Sequence, residues 1–79
     1  MSQQRILELI AKHAREVVPG LEGHVFAPGD SLRELGANSI DRVDIIVMTL
    51  EALSLDVPLA AMANARNIGE LAGIIDANA

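Results

Sequence analysis

The chain has no cysteine, tryptophan or tyrosine, and Phe26 is its single phenylalanine. Without cysteine it has no disulfide, no thiolate metal site and no sulfur nucleophile of its own, so any thiol chemistry must be imported. Without a set of aromatic rings it lacks the stacking platforms of single-stranded nucleic-acid binders. Positive charge is scarce as well: 6 Lys and Arg stand against 11 Asp and Glu, a net charge of −5. That balance disfavours nucleic acid and anionic membranes, which both attract basic surfaces. Long apolar runs are missing too. After Met1-Ser2-Gln3-Gln4-Arg5-Ile6, charged and apolar residues alternate, so neither a signal peptide nor a membrane span is expected. The expectation is a soluble, cytoplasmic, monomeric protein. A chain of 79 residues makes one domain and buries only about 60% of its extended surface. That leaves little room for a deep catalytic cleft and favours binding or carrying over catalysis.

What is present reads as helix. Ile6, Leu7, Ile10, Ala14, Val17 and Val18 recur at helical spacing and predict an amphipathic helix over about residues 3–18, ending before Pro19-Gly20. Residues 19–38 contain Pro19, Gly20, Gly23, Pro28, Gly29 and Gly36, a long connection that needs packing of its own or a role. Leu21, Val25 and Phe26 are the residues expected to pin it down. Within it, Ser31-Leu32-Arg33-Glu34 has the spacing of a capping box, and Leu32 with Leu35 makes a one-turn apolar anchor. A second helix is predicted from Ser39 to about Leu53, and Val57-Pro58 marks a break, because Pro58 drives its predecessor away from helical angles. Residues 59–65 form a short helical turn, with Met62 as packing. Asn67-Ile68-Gly69-Glu70 opens a last helix with the stripe Ile68, Leu71, Ala72 and Ile75. The three methionines, Met1, Met48 and Met62, form no stripe.

The stretch Leu35-Gly36-Ala37-Asn38-Ser39-Ile40-Asp41 is the most informative. Gly36 can take the left-handed conformation that ends a turn, Asn38 is a good N-cap, and the Asp41 carboxylate can reach back to that cap. Ser39 then falls in the first turn of the second helix, where backbone N–H groups lack partners and the helix dipole is positive. A phosphate ester on its hydroxyl would be stabilised there.

Charge gathers around the same serine. Residues 30–56 hold Asp30, Glu34, Asp41, Asp44, Glu51 and Asp56 against Arg33 and Arg42, whereas residues 1–29 are balanced. On a helix turning about 100° per residue, Ile40, Val43, Asp44, Val47 and Glu51 fall on one side, and Ile45, Ile46, Thr49 and Leu53 on the other. Asp44 and Glu51 have no evident buried partner, and an unpaired buried carboxylate costs several kcal/mol. Their side therefore faces water and carries Ile40, Val43 and Val47 outward with it, an acidic surface studded with aliphatic groups that reads as a docking face. The competing arrangement puts Val43, Val47 and Leu50 in the core with the acids at its border. The chosen one turns Arg42 and Thr49 inward, so Arg42 must snorkel outward along its stem.

Two other chemistries have some of their residues here. Ser39 with His13 or His24 and an Asp has the composition of a hydrolase triad, but no Gly-x-Ser-x-Gly elbow is present. His13, spaced helically from Leu9 and Ile10, reads as half-buried or surface; His24 lies in a Gly-rich loop, and neither has metal-ligand company. A helix-turn-helix DNA reader needs a basic recognition helix, whereas residues 39–53 carry Asp41, Asp44 and Glu51 against Arg42 alone.

Asp30-Ser31-Leu32, Leu35-Gly36 and Asn38-Ser39-Ile40 leading into an acidic helix resemble the acyl carrier protein family, and the resemblance spans essentially residues 1–79 as a single acyl carrier domain. It takes in the long first loop, Val57-Pro58 and Asn67-Ile68-Gly69-Glu70-Leu71. It implies an all-α fold, a small four-helix bundle with a long first loop and a short third helix. It also implies a carrier, not an enzyme, with 4'-phosphopantetheine attached covalently to Ser39 by a phosphopantetheinyl transferase and acyl groups held as thioesters. Asn38, Ile40, Asp41, Val43, Asp44, Val47 and Glu51 then form the partner-binding face. Most carriers read Asp-Ser-Leu; here Asn38 keeps the capping oxygen and gives up the charge. The run 36–42, with Ile45-Ile46, is similar to the free-standing donor carriers of polyketide β-branching cassettes. For those, the implied partners are an acyltransferase, a ketosynthase-like decarboxylase that turns malonyl into acetyl, and a hydroxymethylglutaryl-synthase-like enzyme. A general fatty-acid carrier is the alternative within the family, and a small helical interaction adaptor without a prosthetic group is the alternative outside it.

Overall fold

The computed structural model describes residues 2–79; Met1, named above among the methionines, lies outside the described residues. Its elements are α1 (Gln3–Val17), α2 (Ser39–Leu53), a one-turn 3₁₀ helix (Leu59–Met62) and α3 (Ile68–Ala77). The all-helical expectation holds, but the described residues form three α-helices, with one 3₁₀ turn in place of the expected short third helix of a four-helix bundle. No described helix is long and apolar enough to cross a membrane.

Each α-helix starts where a side chain can accept a free N–H, whereas the 3₁₀ turn, entered from Pro58, has no such cap. The Ser2 hydroxyl accepts from Arg5 N–H at 3.2 Å at the start of α1, and Asn67 Oδ1 accepts from Glu70 N–H at 2.8 Å at the start of α3. Val18 follows α1 with an extended backbone and is buried, so the chain leaves the helix straight into the core. At the far end of α2, Ser54 turns left-handed (φ 56°) and Leu55 N–H reaches back to Leu50 O at 3.0 Å, which closes the last turn.

The core forms where α1 lies against both α2 and α3. Ile6, Ile10, Ile45, Ile68 and Ile75 are fully enclosed, with Met62 of the 3₁₀ turn and Val57 sealing one end. Thr49 is fully buried among them, and its hydroxyl donates to Ile45 O at 2.8 Å, so its inward placement leaves no polar atom unsatisfied.

The long connection is fastened at three places. Leu21 and Leu32 are buried, and Phe26 is half-buried with the Arg15 guanidinium 5.0 Å from its ring centre and His24 edge-on at 4.6 Å. Val25, expected to help pin the loop, is instead 87% exposed: Phe26 turns toward α1 and its neighbour on the extended backbone turns away. Asp30 organises the middle, its carboxylate accepting from Ala27 N–H at 2.8 Å and His24 Nε2 at 3.0 Å, which holds the group below the usual carboxylate range. Finally, Ile68 N–H donates to Asp30 O at 2.9 Å and Gly69 N–H to Pro28 O at 2.8 Å. The loop thus supplies the acceptors that the first turn of α3 lacks. A side chain at 69 would put its Cβ 2.9 Å from Pro28 O, so glycine is what lets the loop come this close.

His13 departs from its expected half-buried or surface position. It is only 8% exposed on the core side of α1, and neither ring nitrogen has a hydrogen-bond partner among the described residues. Glu16 Oε1 is 3.8 Å from Nδ1, too far to serve as one. The polarity of the residue suggested an outward position; its place between Ile10 and Ala14 on the buried stripe decided otherwise.

Candidate functional site

The site begins at Gly36, whose φ of 103° is open to glycine at little cost and ends the turn over residues 32–36. That turn is tied by Gly36 N–H to Arg33 O and Ala37 N–H to Leu32 O at 3.0 Å. The Ser31-to-Glu34 spacing gives half of a capping box, a 3.4 Å bond from Glu34 N–H to Ser31 Oγ, and a hydrogen-bonded turn follows it in place of an α-helix. Leu32 and Ala37 are buried, so they anchor what comes next.

Asn38 and Asp41 then form the reciprocal cap. Asn38 Oδ1 accepts from Asp41 N–H at 2.8 Å, and Asp41 Oδ2 accepts from Asn38 N–H at 3.3 Å. This leaves the N–H groups of Ser39 and Ile40 without an acceptor among the described residues, next to a Ser39 side chain that is itself exposed. The contrast with α3 is sharp: there the two corresponding N–H groups are closed by loop carbonyls, whereas the start of α2 stays open. An anion carried on the Ser39 oxygen meets free donors and the positive end of a 15-residue helix.

The face running down α2 from this point is the predicted one. Ile40 is 70% exposed, Val43 43% and Val47 36%, and Asn38, Asp44 and Glu51 are exposed with them. Asp41 is half-buried because its carboxylate serves the cap. On the opposite side Ile45 and Thr49 are buried as expected and Ile46 and Leu53 are half-buried, while Leu50, which the competing arrangement puts in the core, is buried too. Arg42 is half-buried and snorkels as required, its Nη1 donating to Ala37 O at 2.8 Å, back across the helix start.

A groove of about 810 Å³ opens beside Ser39, between α2, residues 31–34, the segment after the 3₁₀ turn and the first turns of α3. Ile46, Leu32, Met62, Ile68 and Leu71 give it apolar walls, with Val43 and Leu59 at its edge. Sequence reading placed Ser39 and Val43 on this side but missed the groove. Residues 33, 42, 59 and 66 meet only in the fold, and the one local clue was the lack of any acid between Val57 and Gly69. The residues considered for a triad are not brought together: His13 is in the core, His24 is bonded to Asp30, and neither hydrogen-bonds Ser39.

Comparison with known proteins follows the same lines. The family model described as the phosphopantetheine attachment site matches residues 4–75. The chain is 49% identical over 75 residues to the polyketide biosynthesis acyl-carrier-protein AcpK of Bacillus subtilis (strain 168), covering 95% of this chain and 92% of that one. It is 27% identical over 77 residues to an acyl carrier protein of Prochlorococcus marinus (strain MIT 9515), covering 98% of this chain and 96% of that one. A chain in the crystal structure of the curacin biosynthetic pathway HMG synthase in complex with acetyl donor-ACP superposes at a TM-score of 0.92 with 45% identity, over 98% of this chain and 99% of that chain. With the helical fold and the matched attachment region together, the chain belongs to the acyl carrier family, proteins that bear phosphopantetheine and hold acyl groups without being enzymes.

Proposed function

We propose that Ser39 is the residue that bears the arm, and that this chain is a donor carrier which hands a two-carbon acyl unit to a hydroxymethylglutaryl-synthase-like enzyme in polyketide β-branching. The observation that carries the assignment is the exposed Ser39 hydroxyl at a capped helix start, where the Ser39 and Ile40 N–H groups lack acceptors among the described residues. These groups fit a phosphodiester: the Ser39 oxygen, losing its proton, forms the new P–O bond as the pyrophosphate P–O bond of coenzyme A breaks and adenosine 3',5'-bisphosphate leaves, and the free donors and helix dipole favour the resulting anion. When bound, the arm supplies the thiol that a chain without cysteine lacks. Asn38 and Asp41 hold the first turn rigid while a phosphopantetheinyl transferase approaches, and Arg42 steadies the preceding peptide through Ala37 O.

The donor role is supported by the 49% identity to a polyketide carrier and the 45% identity to the partner of an HMG synthase, against 27% for the general acyl carrier protein. Partners read the face of Asn38, Ile40, Asp41, Val43, Asp44, Val47 and Glu51: the transferase, an acyltransferase, a ketosynthase-like decarboxylase and the synthase. Its exposed acids steer basic surfaces, and its aliphatic groups give them something to bury. Incubation with coenzyme A and a competent transferase is expected to raise the intact mass by one phosphopantetheine, and Ser39→Ala to abolish the gain. An unchanged mass under conditions that load other carriers would refute the assignment.

A further inference from the structure

The groove beside Ser39 differs in charge from the rest of the molecule. The whole chain carries −5, yet the groove is lined by Arg33, Arg42 and Arg66 against a single acid, Glu34. Three of the chain's cationic side chains therefore gather around one cavity. Arg42 is held beside Ser39 by its bond to Ala37 O, which uses one of its N–H groups and leaves the others. Arg33 is exposed and has no ion-pair partner among the described residues. Arg66, also on the lining, is exposed and pairs with Glu70 at 3.3 Å. An uncharged acyl chain would gain from the apolar walls but offers these guanidiniums no charge to pair with. A carboxylate gains from both, since the planar guanidinium fork matches its two oxygens.

Resting on the assignment of the arm to Ser39, we propose that the groove receives the free carboxylate of a short dicarboxylic acyl group, folded back along α2, with Arg33 and Arg42 as its specificity-determining residues. Malonyl is the smallest acyl group of this class with a methylene between its thioester and its carboxylate. Its methylene faces Ile46 and Leu71 while its carboxylate meets the guanidiniums at the rim. Acetyl, the same group without the carboxylate, has no hold there and leaves the groove. The carrier thereby shelters the acid form and frees the neutral one, so loss of the carboxylate is coupled to release of the acyl end toward a partner.

The arm's own phosphate is also an anion near Arg42, and three loaded forms separate the two sources. Isotope-labelled protein is prepared with the bare thiol arm, with acetyl and with malonyl. The side-chain Nε–H signals of Arg33 and Arg42 and the methyl signals of Ile46 and Leu71 are then compared by NMR. Malonyl is expected to move them relative to both other forms, and Arg33→Gln, a change at an exposed residue without effect on folding, to shrink the shift at Arg42 and the methyls. Identical malonyl and acetyl spectra would overturn the proposal. An Arg42 shift already complete with the bare arm would overturn it as well, by assigning that guanidinium to the phosphate. In both of these cases the carrier reading survives; a chain that accepts no arm at all would bring down both.

Discussion

His13 is the residue least matched to its surroundings. A buried polar group without a hydrogen bond costs about 1–3 kcal/mol, and both of its ring nitrogens are in that state. Leucine fills a similar volume with no polar atom, so His13→Leu is expected to stabilise the fold by about 1 kcal/mol. The urea midpoint at neutral pH should rise with the slope of the transition unchanged. A midpoint that stays or drops would show that the ring's polarity is matched where it sits. Reading by residue type failed here, and at Val25, for the same reason: burial is decided by which stripe or backbone direction a side chain inherits. Ser39 was legible because Gly36, Asn38 and Asp41 fix its position within a few residues of itself.

At the scale of elements, α2 does two jobs on two faces. Ile45, Thr49 and Leu50 hold it in the core, while Ile40, Val43, Asp44, Val47 and Glu51 are left outside. Val43→Asp and Asp44→Lys should therefore change stability by no more than about 0.5 kcal/mol, as surface substitutions do. Both should weaken partner enzymes by roughly tenfold or more, through loss of an apolar contact in one case and reversal of steering in the other. Thermal melts beside titration calorimetry against a transferase separate these effects, and a variant that unfolds would place its residue in the core after all. The first helix was readable from its apolar stripe, and α2 and α3 from the caps Asn38 and Asn67, all local signals with a local cause. Invisible from sequence was the joining of α3 to the loop, since Pro28 and Asp30 are distant along the chain from Gly69 and Ile68 and no periodicity links them.

Over the whole molecule, acid should act first at that junction. The Ala27 N–H and His24 hold the Asp30 carboxyl below its ordinary value, and the Arg66 backbone N–H and guanidinium do the same for Glu70. Lowered values in the folded chain mean that the unfolded chain binds protons first as pH falls. The stabilisation is therefore complete above the ordinary carboxylate range, about 4, and is lost as pH drops through that range and then through the depressed values. Denaturation midpoints followed from pH 7 to about 2.5 should fall at the acid end, and by less in Asp30→Asn; a flat profile would contradict this. The same junction bears on how the chain tolerates being cut. Because α3 is moored through Pro28 and Asp30 and not through the residues just before it, a protease clip after Ala63 should yield two fragments that stay together. Native mass spectrometry should find them as one species that separates only in denaturant, with Met62 still seating the cut end of the 3₁₀ turn in the core.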